Sequence, residues 1–165
     1  ERMTSGLERL DSILAIAERH GRSTRVLRLR VEQLPADENL AAKLGLSPSD
    51  PVTCVRRTIA VDGRLAAYLI DYAPVEVLPA QAVDESFNGS VLDLLVRRDY
   101  LRICQAVADI TAVNADETLA EHLEIDPGEA LLLLSETLLT EDLAPVEYSC
   151  NYFLPDFFDF HVLRR

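Results

Sequence analysis

Residues 36–59 read ADENLAAKLGLSPSDPVTCVRRTI, and residues 115–138 read ADETLAEHLEIDPGEALLLLSETL. The second segment repeats the first at an offset of 79 residues, with identities at Ala36/Ala115, Asp37/Asp116, Glu38/Glu117, Leu40/Leu119, Ala41/Ala120, Leu44/Leu123, Pro48/Pro127 and Thr58/Thr137. Each copy carries the same order of signals. An aspartate able to cap a helix precedes apolar residues at helical spacing, a proline-containing turn follows, and an apolar, strand-like run comes last. Two copies are too few for a solenoid. They describe one domain built from two related halves that face each other, and the seam between them is a natural place for a ligand.

The pattern extends outward from both copies. In LERLDSILAIAERH (7–20), Leu7, Leu10, Ile13, Leu14 and Ala17 predict a helix that Gly21 ends. In TRVLRLRVEQL (24–34), Leu27, Leu29 and Val31 alternate with Arg28, Arg30 and Glu32, which predicts a half-buried strand. After the first helix, ended by Gly45, come a strand over 52–61, a hairpin turn at Asp62-Gly63 and a strand over 65–73 stopped by Pro74. A polar connector (74–88) leads to Ser90, the predicted cap of a helix over 91–98. A strand over 100–113 then matches 24–34 at the same offset, and the second copy supplies a helix over 116–123 and strands over 130–140 and 144–153. The whole predicts an α+β fold: six mostly antiparallel strands with helices on one face.

With 165 residues, the chain suits one domain with a sizeable core. Its hydrophobic fraction of 48% and charged fraction of 27% are ordinary for a globular protein. No apolar run approaches the roughly 20 residues of a membrane helix, and the N-terminal residues do not read as a signal peptide. A net charge of −12 argues against the chain gripping a nucleic-acid backbone unaided. Cys54, Cys104 and Cys150 have no CxxC spacing and sit in apolar, strand-like segments, so buried reduced thiols in a cytoplasmic setting are expected. No Cys/His spacing fits a metal, and no phosphate loop or nucleophile motif occurs, so no cofactor is expected.

Small-molecule sites are mainly apolar with a few convergent polar groups. Charged residues inside apolar strands are therefore the candidates. Arg57 stands between Val55 and Ile59 on one strand face, and Glu136 takes its place in the second copy. Glu147 lies in PVEYSCNYF with Ser149 and Asn151 following on its face. Each could equally be a solvated residue on an open sheet. Ser12 and Ser90 read most simply as helix caps, positions that can also receive anions. The aromatic tail LPDFFDFHVLRR reads as closing the core through Phe157, Phe158 and Phe160.

Taken in order, LERLDS (7–12), ADENLAAKLGL (36–46), Arg56-Arg57, Asp62-Gly63-Arg64, GSVLDLL (89–95), ADETLAEHLEIDPGEALLLL (115–134) and PVEYSCNYFLPDFFDFHV (145–162) resemble the UTRA domain. This is the effector-binding half of HutC-type GntR transcription regulators, and the resemblance runs from about Leu7 to Arg164. It implies a chorismate-lyase-like fold, a homodimer, and the sensing of a small metabolite that modulates operator binding by a separate winged helix-turn-helix. Residues 1–10 would then be the end of a linker from that module. The family's effector-binding positions fall on Arg57, Ser90, Glu147, Phe153 and the Leu10-Asp11-Ser12 loop. A second arginine frequent in the family is Ile59 here, the arginine-bearing segment near the end is Leu154-Pro155-Asp156-Phe157, and Asp11 would repel a phosphate. The resemblance thus implies an effector other than a phosphosugar, with a carboxylate on Arg57 and a hydroxyl or amine on Glu147 as its sharpest form. A lyase releasing pyruvate from chorismate, and a dimerisation module without ligand, are the alternatives.

Overall fold

Two equivalent helices, α2 (Glu38–Leu44) and α4 (Glu117–Leu123), show why the copies fold alike. The Asp37 carboxylate accepts from the Leu40 amide at 2.7 Å, and the Asp116 carboxylate accepts from the Leu119 amide at 2.8 Å. Leu40, Ala41 and Leu44 are buried in the first helix, and Leu119, Ala120 and Leu123 in the second. Each large apolar side chain so buried contributes about 1.5–3 kcal/mol. Both helices end on a left-handed residue, Gly45 at φ 65° and Glu124 at φ 54°. Glycine adopts that conformation freely, whereas Glu124 carries a cost of about 1 kcal/mol or more.

The computed structural model describes residues 1–165 except for the Asp99 side chain. Its main sheet has six strands: β2 (Thr24–Pro35), β3 (Pro51–Val61), β4 (Arg64–Pro74), β5 (Ile103–Asn114), β6 (Ala130–Thr140) and β7 (Pro145–Phe153). Their order is β2-β3-β4-β7-β6-β5, and every neighbouring pair is antiparallel. The order reads as one half followed by the other half reversed, which places a pseudo-twofold axis between β4 and β7. The Asp62-Gly63 turn, at φ 49° and 80°, has the left-handed pair that a tight two-residue hairpin requires.

Both sheet faces are covered. On one, α2 and α4 pack over the cross-strand pairs Tyr72↔Tyr148 and Tyr68↔Tyr152. On the other lie α1 (Ile13–Arg19) and α3 (Val91–Val96), each over its own apolar cluster. Ile13, Ile16 and Ala17 meet Ile59, Leu69 and Phe153, while Val91 and Leu95 meet Val55 and Leu138. The expectation of helices on one face is therefore corrected: each half contributes one helix to each face.

Three further expectations change, and one segment gains structure that the sequence did not show. The segment is Met3–Gly6, within the residues expected as the end of a linker: it forms β1, paired in parallel with β8 (Phe158–His161), and Met3 is buried against Phe157 and Phe158. The helix expected from residue 7 starts only at Ile13, because Ser12 caps it and the Leu7 amide donates to the His161 carbonyl. The strand expected from residue 100 starts at Ile103, after a short 3-10 turn over Asp99–Leu101. Cys54 is buried, Cys150 half-buried and Cys104 exposed, so burial of all three thiols does not hold. Cys104 falls where the β5–β6 register shifts. Among the described residues, no helix is long and apolar enough to cross a membrane.

Candidate functional site

The sheet face beneath α1 and α3 carries a polar strip. Strand register assembles it in rows. Asp71 on β4, Ser149 on β7 and Glu136 on β6 stand side by side, with Val55 and Ala108 at the ends. In the next row stand Arg57, Leu69, Asn151 and Leu134. Glu147 lies two residues along β7 from Ser149. Above this strip is a cavity of about 100 Å³, which reaches the surface at Arg9 and Leu10. Arg57, Ser90, Glu147, Phe153, Ser12 and Asp11, the residues singled out from sequence, all line it, as does Glu136.

Arg57 is 2% exposed and already engaged. Its Nη1 donates to the Asp71 carboxylate, and its Nε donates to the Gly89 carbonyl at 2.8 Å. Its guanidinium also lies 5.9 Å from the centroid of the Phe87 ring. A buried charge needs such a partner, since an unpaired one costs several kcal/mol. The pair was not foreseen from sequence, and it changes the chemistry: an incoming carboxylate would have to compete with Asp71 for Arg57. Gly89 is equally constrained. Its φ of 105° suits glycine, and a Cβ there would sit 2.5 Å from Val26 Cγ2.

Glu147 is 2% exposed, and its Oε1 has no hydrogen-bond partner in the protein. Burial pushes its carboxyl well above the usual carboxylate range, and the negative charges of Asp71 and Glu136 push the same way. Burial and the charge of Asp71 likewise raise Glu136. Asn151 donates to Ser149 Oγ at 3.2 Å, leaving its own Oδ1 without a partner. The floor thus combines one neutralised ion pair, two carboxyl groups outside any ion pair among the described residues, and unfilled acceptors.

The serines behave as caps. Ser12 Oγ accepts from the Ala15 amide at 3.2 Å, and Ser90 Oγ accepts from the Asp93 amide at 3.0 Å. Ser12 Oγ also donates to the Asp93 carboxylate at 3.1 Å, and Asn88 Nδ2 donates to the same oxygen at 3.3 Å. Asp93 is thus the anion shared by this corner. Asp11 at the rim pairs with Arg19 at 2.9 Å and Arg9 at 3.4 Å. Phe153 packs edge-on against Phe158 and Phe160, both at 5.1 Å, and forms an apolar wall. Among the described residues, no cluster of His, Cys, Asp and Glu is placed to hold a metal ion.

A duplicated antiparallel sheet with helices on both faces thus encloses a polar-floored cavity. Residues 19–159 match the UTRA domain, and the chain belongs to that family. It is 30% identical over 133 residues, 78% of its length, to the HTH-type transcriptional regulator Rv0792c of Mycobacterium tuberculosis, and those residues make up 48% of that protein. The chain spans about half the length of the curated relatives it matches. In fold it is similar to the effector domain of PhnF from Mycobacterium smegmatis, with a TM-score of 0.85, 22% identity and coverage of 98% of this chain and 99% of that one. It is similar too to the C-terminal domain of YurK from Bacillus subtilis, with a TM-score of 0.76, 18% identity and coverage of 99% and 100%. It is therefore a UTRA domain whose curated relatives are HTH-type transcriptional regulators.

Proposed function

We propose that this domain senses a small cytoplasmic metabolite in the cavity between the sheet and α1/α3, and carries out no catalysis. The reading rests above all on one observation: a UTRA domain holds a cavity floored by Glu147, whose buried Oε1 lacks a protein partner. Such an atom is costly when empty and is satisfied by a ligand.

On this reading the domain forms a homodimer of the HutC type. Ligand shifts the arrangement of its subunits and so the operator affinity of a DNA-binding module elsewhere in the regulator. That coupling requires the ligand to favour one arrangement over the other. The effector is less anionic than a phosphosugar, because Asp71 neutralises Arg57 and Glu136 and Glu147 line the same floor.

A melting-temperature screen across sugars, phosphosugars, organic acids, amines and amino-acid derivatives tests the reading. One compound class should raise the melting temperature in a dose-dependent way, as mass action requires, and the same compound should change operator binding by the intact regulator. A screen in which nothing stabilises the domain would overturn it. Release of 4-hydroxybenzoate from chorismate would replace the sensor with an enzyme, and none is expected.

A further inference from the structure

We infer that the cavity takes a small organic cation, an ammonium or guanidinium head group seated against Glu136 and Glu147, with Ser149 and Asn151 as neutral hydrogen-bond partners. The inference rests on the sensor reading and names the ligand class of that same site.

The argument is one of charge and satisfaction. Asp71, Glu136 and Glu147 line the cavity's floor with Arg57 as the only cation among the described floor residues. Asp71 takes that cation for itself. Asp11 at the rim is likewise held by Arg9 and Arg19. Glu136 and Glu147 are left without an ion pair, and an anion entering the cavity would meet both.

An acidic cluster alone does not define a site, since carboxyl groups often gather on solvated faces. Here the second observation is Glu147 itself: nearly all buried, on the cavity wall, with Oε1 unpartnered. Asn151 Oδ1, also unpartnered, lines the same cavity. Both atoms accept hydrogen bonds, and the complementary ligand donates several. An ammonium offers three donors and a guanidinium five, each with the charge that two carboxyl groups seek. The raised positions of Glu136 and Glu147 agree: burial raises both, the negative charge of Asp71 adds to it, and Arg57 offsets only part of the rise at Glu147. About 100 Å³ holds a head group of a few heavy atoms, and the opening beside Leu10 lets a longer tail lead outward.

The test is calorimetric titration of the domain with ethanolamine, putrescine and agmatine, set against inorganic phosphate, glycerol 3-phosphate and succinate. The variants are E136Q and E147Q, which keep shape while removing charge, with E121Q on the exposed side of α4 as control. At least one amine should bind, and its affinity should fall about tenfold or more in E136Q and in E147Q while E121Q leaves it unchanged. Amine binding indifferent to both variants overturns the inference. Binding by the anions alone overturns it as well, and leaves the sensor reading standing. Binding by none of the six also overturns it, and the sensor reading is then decided by the broader melting screen and operator assay.

Discussion

The two halves of this chain differ least where they build the frame and most where they line the cavity. Around the pseudo-twofold axis Asp37 matches Asp116, Ser12 matches Ser90, Tyr68 matches Tyr148 and Tyr72 matches Tyr152; all are caps or packing residues. On the cavity side the same operation sets Arg57 against Glu136, Asp71 against Asn151, Leu69 against Ser149 and Ala67 against Glu147. The duplicated fold supplies the geometry, and divergence supplies a one-sided floor: an ion pair from the first half facing acceptors from the second. A ligand without twofold symmetry needs such a floor.

The largest expected break in that comparison is at Asp71. Asp71→Ala leaves the Arg57 guanidinium buried without its carboxylate and should cost about 3–5 kcal/mol. Asn151→Ala, at the equivalent place, removes only a 3.2 Å hydrogen bond and should cost about 1 kcal/mol. Urea midpoints of the two variants measure the asymmetry, and equal losses would refute it. Gly89→Ala comes next. It meets Val26 Cγ2 and an unfavourable φ together, and should cost about 2–3 kcal/mol by thermal or urea unfolding.

Glu147→Gln should act through pH. The groups around Glu147 are Arg57 from β3, Asp71 from β4 and Glu136 from β6, and its folded carboxyl is raised. For an acid raised on folding, the unfolded chain loses its proton first, so stability falls as pH climbs from about 5 towards the folded value. The variant lacks that loss. Its melting temperature should gain on the parent's as pH rises above about 5, and a constant gap would rule the account out. The smallest effect sharpens the comparison from the other side. Asp37→Ala and Asp116→Ala should each cost about 1 kcal/mol and agree within about 0.5 kcal/mol, because both remove the same cap from matched helices.

Much of this was legible in the sequence, because caps, turns and alternation are local signals. Asp62-Gly63 named its hairpin, and the two aspartates named their helices. Leu7 and Leu10 fitted helical spacing yet lie outside α1, since pairing with the far end of the chain outweighs local preference. β1 was invisible for the same reason: MTSG has one large apolar residue, and its partner FDFH lies at the opposite terminus. In the site, Arg57 and Glu147 stood out as charges inside apolar strands. Asp71 meets the same test, as a carboxylate among the apolar residues of β4. What no single strand carries is register. Only the β4–β7 and β6–β7 pairings set Asp71, Ser149 and Glu136 in one row.

The β1–β8 clip has a mechanical side. β1 runs straight into Ser5, Gly6 and Leu7, which wall the cavity, and β8 contributes Phe160 to the same wall. That wall is therefore part of a short parallel ribbon joining the two ends of the chain. The cavity wall is thus tied to both ends of the chain by backbone hydrogen bonds as well as by packing.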